Sequence, residues 1–177
     1  MIHIVTPCSR PQNLEKISPS IPQHCKWWII YDSKITNIPF INKANYLYCL
    51  ETGKVGAEGR NFFIENININ DNDWIYSLDD DNIIHPDFFN SVLELLDKEY
   101  SIIHWGQLKK DGSIRLKPKI GLNEIDAACF MTKWKFNKNV KYITDRYDYD
   151  GIYALDCSQN GPYFTIDKYL CYYNYLR

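Results

Sequence analysis

The apolar residues of this chain fall into short blocks separated by polar turns, and the period inside each block sets the element it predicts. His3-Ile4-Val5-Thr6 reads as a first strand that stops at Pro7, where the backbone loses a hydrogen-bond donor. Ser9 is placed to cap a helix running through Leu14 and Ile17, with Pro11 in its first turn. Trp27-Trp28-Ile29-Ile30-Tyr31 is an unbroken apolar run, the pattern of a strand buried on both faces, and it ends on Asp32-Ser33. Residues 42–50 fit a helix or a mixed segment, and 51–56 a turn. Over 57–67 the period is helical, with Phe62, Phe63 and Ile67 on one side and Glu58, Arg60 and Glu65 on the other. Trp74-Ile75-Tyr76-Ser77-Leu78 is a third strand and runs straight into Asp79-Asp80-Asp81-Asn82. Pro86 then opens the clearest helical pattern, through Phe88, Phe89, Val92, Leu95, Leu96 and Tyr100. A fourth strand is predicted over 101–105, and Asp111-Gly112 marks a hairpin turn. Residues 121–134 hold a further strand and turn, 148–155 a helix, and 162–175 a last, aromatic-rich strand. Alternating strands and helices in the first hundred residues predict an α/β fold with a mostly parallel central sheet flanked by helices.

Composition narrows the function classes. The length of 177 residues suits one domain, since domains run to about 50–250 residues. Twenty basic against 22 acidic residues leave a net charge of −2, without the basic excess that a phosphate-gripping nucleic-acid module carries. A nucleic-acid partner is therefore not expected. Aromatic residues reach 15%, enough for a large core, a surface that stacks on sugars or bases, or both. The six cysteines lie far apart with no Cys-x-x-Cys pair, which predicts free, mostly buried thiols in a reducing compartment. No run of about 18 apolar residues exists, and the first residues lack a secretory pattern, so a cytoplasmic protein with no integral membrane segment is expected.

The most informative feature is the run of three carboxylates after the third strand. Ligands of open α/β sheets bind at the carboxyl ends of strands. Adjacent carboxylates repel unless a cation or hydrogen bonds compensate them. Alternation sends Asp79 and Asp81 to one side and Asp80 to the other, so one carboxylate is placed for a hard cation and a neighbour for a ligand hydroxyl. An acidic turn that caps the next helix explains the same residues without a ligand.

Leu78-Asp79-Asp80-Asp81-Asn82-x-x-x-Pro86 resembles the Asp-x-Asp region of nucleotide-sugar glycosyltransferases with the GT-A fold. It is similar both to the large inverting family of synthases and to the glucuronyltransferase family, whose signature is also Asp-Asp-Asp-Asn. Ile4-Val5-Thr6-Pro7-x-Ser9-Arg10-Pro11 resembles the first strand and turn of these enzymes. Ile29-Ile30-Tyr31-Asp32-Ser33 resembles the second strand with its uracil-contacting acid, and Gly56-x-x-Gly59-Arg60-Asn61 the helix start before the metal strand. The resemblance covers the first half of the chain, in order.

It implies a single glycosyltransferase domain over 1–177, with a nucleotide-sugar half (1–100) and an acceptor half (101–177). It implies that Asp81 binds Mn²⁺ or Mg²⁺ bridging the donor diphosphate, and that Asp79 or Asp80 bonds the ribose. Thr6, Pro7 and Arg10 would lie along the nucleotide, Asp32 would meet the base, and Arg60 would touch base, ribose or phosphate. Ile125 to Met131 looks like the family's small-residue segment, with Asp126 near the acceptor and donor sugar. An acid at the start of the helix at 148–155 would take the proton of the acceptor hydroxyl, Asp150 first and Asp148 second. Both residues equally suit a plain helix N-terminus. Tyr169, Tyr172, Tyr173 and Tyr175 divide between core and rim, where the rim residues with Trp105 and Trp134 would stack on a sugar. The implied activity is hexosyl transfer from a UDP-sugar donor to a glycan or lipid-linked acceptor, with inversion expected and retention the alternative. A nucleotidyltransferase and a non-catalytic nucleotide- or carbohydrate-binding module are the alternatives.

Overall fold

A computed structural model of the chain describes residues 1–32, 34–49 and 55–177. Among the described residues nine strands form one sheet: β1 (Ile2–Pro7), β2 (Cys25–Tyr31), β3 (Ala44–Tyr48), β4 (Trp74–Ser77), β5 (Ile83–Ile84), β6 (Ile102–Lys109), β7 (Ile114–Leu116), β8 (Phe130–Lys133) and β9 (Tyr163–Tyr173). The order is β3-β2-β1-β4-β8-β6-β9-β5, with β7 paired to β6 beside this path. β1, β2, β3, β4, β6 and β9 point one way, while β5, β7 and β8 run against them. The fold is mixed α/β, with a sheet whose strands mostly share one direction.

The helices are α1 (Leu14–Ile17), α2 (Val55–Asn66), α3 (Phe88–Val92), α4 (Trp134–Asn137) and α5 (Tyr149–Gln159). Strand register shows which sheet face each covers. His3, Val5 and Trp28 share one face, because Val5 pairs with Trp28 and side chains alternate along a strand. Phe63 of α2 packs on that face, its ring 5.5 Å from Trp28 and 6.2 Å from His3. Ile4 and its neighbour Tyr76 share the opposite face. There Phe88 of α3 stacks on Tyr76 at 4.9 Å, and Trp105 meets both rings edge-on at 5.3 Å. Each such aromatic side chain contributes roughly 1.5–3 kcal/mol by leaving water. Much of the aromatic excess is thus core, and Trp105 is fully buried with its indole N–H on the Ala128 carbonyl rather than on a sugar-facing rim.

Four local expectations change. Residues 44–48, read as helical or mixed, form β3, because they pair in parallel with Trp27–Tyr31 of β2; Ala44, Tyr46 and Leu47 are half-buried, and Asn45 and Tyr48 are exposed. Ser9 caps no helix: its N–H and hydroxyl both go to Asp80, and the first turn begins as a 3₁₀ segment at Pro11–Asn13. The helix after Pro86 is short and tightens into 3₁₀ at Leu93–Leu95, so its strong periodic pattern overstates its length. The fourth strand continues to Lys109, where a hairpin turns at Gly112 with a φ of +84°, a left-handed conformation that favours glycine. Ser33 and the turn expected over 51–54 lie outside the described residues. The six cysteines are free, five of them buried. Among the described residues no helix is long and apolar enough to cross a membrane.

Candidate functional site

β1 lies between β2 and β4, and all three are parallel, so their carboxyl ends share one edge of the sheet. The chain leaves β1 for β2 on one side and returns to β4 on the other. Open α/β sheets bind ligands at such a switch point. A cavity of about 440 Å³ opens beside it, within the range of about 300–1,000 Å³ that small-molecule sites occupy. Arg10 enters from the turn after β1, Asp79 and Asp81 from the end of β4, and Arg115 from β7. Asp126, residues 147–151 at the start of α5, and Tyr173, Asn174 and Arg177 also line it.

The three consecutive aspartates have separate roles. Asp79 and Asp81 line the cavity, and Asp80 turns into the protein. The Asp80 carboxylate accepts the main-chain N–H groups of Ser9 (2.5 Å) and Arg10 (2.6 Å), the Ser9 hydroxyl, and Arg10 Nε (2.9 Å). Asn13 also donates to its carbonyl. Asp80 therefore ties the turn after β1 to the end of β4 and has no oxygen left for a ribose. Asp79 accepts from Arg60 Nη2. Asp81 is 2% exposed, and its Oδ2 lies 2.9 Å from Arg10 Nη2 and 2.6 Å from Arg177 Nε.

Arg60 sits beneath the cavity, not in it. It is 1% exposed, neither lining the cleft nor lying on an outer helix face beside Glu58 and Glu65. Besides Asp79, it donates to the Tyr149 hydroxyl at 3.3 Å and comes to 4.0 Å of Asp150 Oδ1. Its guanidinium also lies over the Tyr142 and Tyr149 rings. A buried cation needs such partners, and removing them strands the charge.

The two acids at the start of α5 differ sharply. Asp148 is gripped by Arg146 through two hydrogen bonds of 2.8 and 2.7 Å, which hold its carboxyl below the usual range. Asp150 Oδ1 is buried with no hydrogen-bond partner among the described residues. Burial pushes the Asp150 carboxyl up to about 8, against the pull of the Arg60 guanidinium. Burial likewise raises Asp79 to about 6, again opposed by Arg60. Two cavity-lining carboxyls with raised and different proton affinities are a recurrent feature of acid–base sites.

Of the other expected residues, Thr6 and Pro7 pack away from the cavity, Asp126 lines it, and Asp32 lies at the end of β2. The Thr6 hydroxyl accepts the Trp27 indole N–H on the far face of the sheet, and Pro7 packs near Gly59 of α2. Neither lines the cavity. Asp126 caps a 3₁₀ turn through the Ala128 N–H and pairs with Arg115 at 2.7 Å, so it steadies the cavity wall. Asp32, at the end of β2, keeps Oδ2 buried and without a partner among the described residues. Sequence reasoning missed Arg115, Tyr149 and Arg177. Arg115 follows the hairpin turn between Ile114 and Leu116, a detectable strand pattern, whereas nothing local marks Arg177.

The divalent cation implied by the resemblance does not fit these residues as they stand. The oxygen it would need, Asp81 Oδ2, already has two guanidinium groups beside it. Asp80 is fully engaged, and no group of three or more His, Cys, Asp or Glu side chains among the described residues is placed to hold a metal. Oxygen-rich coordination is what such cations require.

No protein-family model matches the chain, and no curated protein matches it. The fold and the cleft define a mixed α/β protein with a charged cavity at the switch point of its sheet.

Proposed function

We propose that this protein is a glycosyltransferase that moves a sugar from a nucleoside diphosphate donor, UDP-linked by the resemblance at Asp32, to a hydroxyl of a glycan or lipid-linked acceptor. The observation that carries the reading is the unpartnered Asp150 carboxylate oxygen at a cavity that also presents Asp79, Asp81 and Arg10. An acceptor hydroxyl is a poor nucleophile until a base takes its proton as it attacks. Asp150 is suited to that step because burial raises its proton affinity and no protein donor occupies its Oδ1. In the inverting course, the acceptor oxygen bonds to the anomeric carbon as the carbon–oxygen bond to the diphosphate breaks. The diphosphate leaves with the electron pair, and the hydroxyl proton passes to Asp150. Asp79 serves the donor ribose, and the unpartnered Asp32 oxygen at the neighbouring strand end suits a base N–H. Tyr147, 93% exposed at the mouth, offers an aromatic face to the acceptor.

The test is nucleotide release from a panel of UDP-sugars, with and without simple sugar acceptors. Turnover with at least one donor is expected. Asp150→Asn should bind UDP like the native protein and turn over slower by about 10²–10⁴-fold, the usual contribution of a positioned base. Full activity in Asp150→Asn removes it from the role. Binding of a donor without any turnover would make the protein a binding module instead.

A further inference from the structure

We infer that the guanidinium groups of Arg10 and Arg177 take the place of a divalent cation at the donor diphosphate, so that nucleoside diphosphate binding here needs no metal. This rests on the nucleotide-sugar reading above.

Asp81 is the carboxylate that the resemblance assigns to a cation. Asp81 Oδ2 is buried, and two positively charged groups from opposite ends of the chain converge on it, at 2.9 Å from the turn after β1 and 2.6 Å beyond β9. Neither pair is aligned as a hydrogen bond, so the contacts are chiefly charge on charge. A divalent ion bound to that oxygen would sit against both guanidiniums, and like charges so close repel strongly. The neighbouring carboxylates add little to it. Asp80 is saturated by Ser9 and Arg10, and Asp79 has Oδ1 held by Arg60, which leaves its other oxygen for the ribose.

The same two arginines face the place where a diphosphate would lie. Both line the cavity, with side chains 30% and 56% exposed; Arg10 spends Nε and Nη2 on Asp80 and Asp81, leaving Nη1 for a ligand, while Arg177 meets Asp81 through Nε alone. Guanidinium forks match pairs of phosphate oxygens and stay charged at any working pH. Arg115, the third arginine of the cavity, is already committed to Asp126 and Gln107 and stacks 3.5 Å over Tyr173. Its charge is therefore spent within the cavity wall. Aimed at the departing diphosphate, fixed positive charge from Arg10 and Arg177 would stabilise the negative charge that develops there.

The experiment is calorimetric titration of the full chain with UDP, and separately with uridine, in EDTA and then in Mn²⁺. UDP should bind equally well in both. Arg177→Gln should fold normally, since the side chain is exposed, and should weaken UDP by about tenfold, the size of one charge-assisted hydrogen bond. Its affinity for uridine, which lacks phosphates, should not change. Binding of UDP only with Mn²⁺ overturns the inference and leaves the nucleotide-sugar reading standing. Undiminished UDP affinity in Arg177→Gln, or equal weakening of uridine, also overturns it. Failure of UDP to bind under either condition overturns both readings.

Discussion

Asp80 holds Arg10 at three nitrogens, with the main-chain N 2.6 Å from Oδ2 and Nε and Nη2 2.9 and 2.5 Å from Oδ1. This pairing fastens the turn after β1 to the end of β4 and sets the position from which Arg10 reaches Asp81. Asp80→Ala would leave the Arg10 guanidinium and two main-chain N–H groups without their acceptor. The expected loss is about 3–5 kcal/mol, as for other broken buried charge pairs. Urea denaturation measures it, and a loss comparable to an ordinary surface substitution would refute this structural role.

The pH profile of kcat/KM should report Asp150. Its carboxyl is raised to about 8, and a base must be ionised, so kcat/KM should climb with pH and level off above about pH 8. Asp150→Asn should lose that limb, while Asp148→Asn should keep it. The same shift acts on stability with a definite sign. The unfolded carboxyl gives up its proton near about pH 4, and the folded one keeps it to a higher pH. Folding should therefore weaken as pH rises from about 4 towards about 8, and Asp150→Asn should flatten this part of a melting-temperature profile.

Arg60 counters two carboxyls at once. Arg60→Met would leave Asp79 and Asp150 facing each other across an apolar side chain. A destabilisation of about 3–5 kcal/mol at neutral pH is expected. In whatever folded protein remains, the kcat/KM limb should move to higher pH, because the cation that favours ionised Asp150 is gone. Solvent denaturation and the pH–rate profile check the two effects separately.

Gly151 allows the start of α5 to approach the cavity wall. A Cβ at this position would lie 2.8 Å from the Gly121 carbonyl oxygen and 3.0 Å from the Leu122 Cα, both backbone atoms. Gly151→Ala should displace the helix start that carries Asp150, costing about 1–3 kcal/mol, typical of overpacking. Turnover should fall more than UDP affinity, since Asp150 is assigned to the acceptor proton. Parallel kinetics and UDP titration would show this split, and unchanged turnover would mean that the close approach has no bearing on Asp150.

Several features were legible along the chain because their causes are local. The apolar runs at 27–31 and 74–78 mark buried strands by their lack of alternation, and Asp111-Gly112 marks its hairpin by conformational preference alone. Alternation also separated Asp80 from Asp79 and Asp81, since side chains of an extended segment must point to opposite sides. The strand at 44–48 was not legible, because its pairing with β2 decides it and its own residues suit either structure. The helix after Pro86 shows the reverse case, a strong pattern whose second half tightens in the folded chain.

The division at the site has the same physical origin. Sequence by itself determined that carboxylates stand at a strand end and that acids open a late helix. Only tertiary structure decided which of them are spent. Asp80, Asp126 and Asp148 are neutralised by Arg10, Arg115 and Arg146, whereas Asp150 keeps an unpartnered oxygen. It also brought Arg177 to Asp81 across about half the length of the chain. Charge pairing and burial depend on distance in space, and sequence spacing constrains that distance only within a single turn or strand.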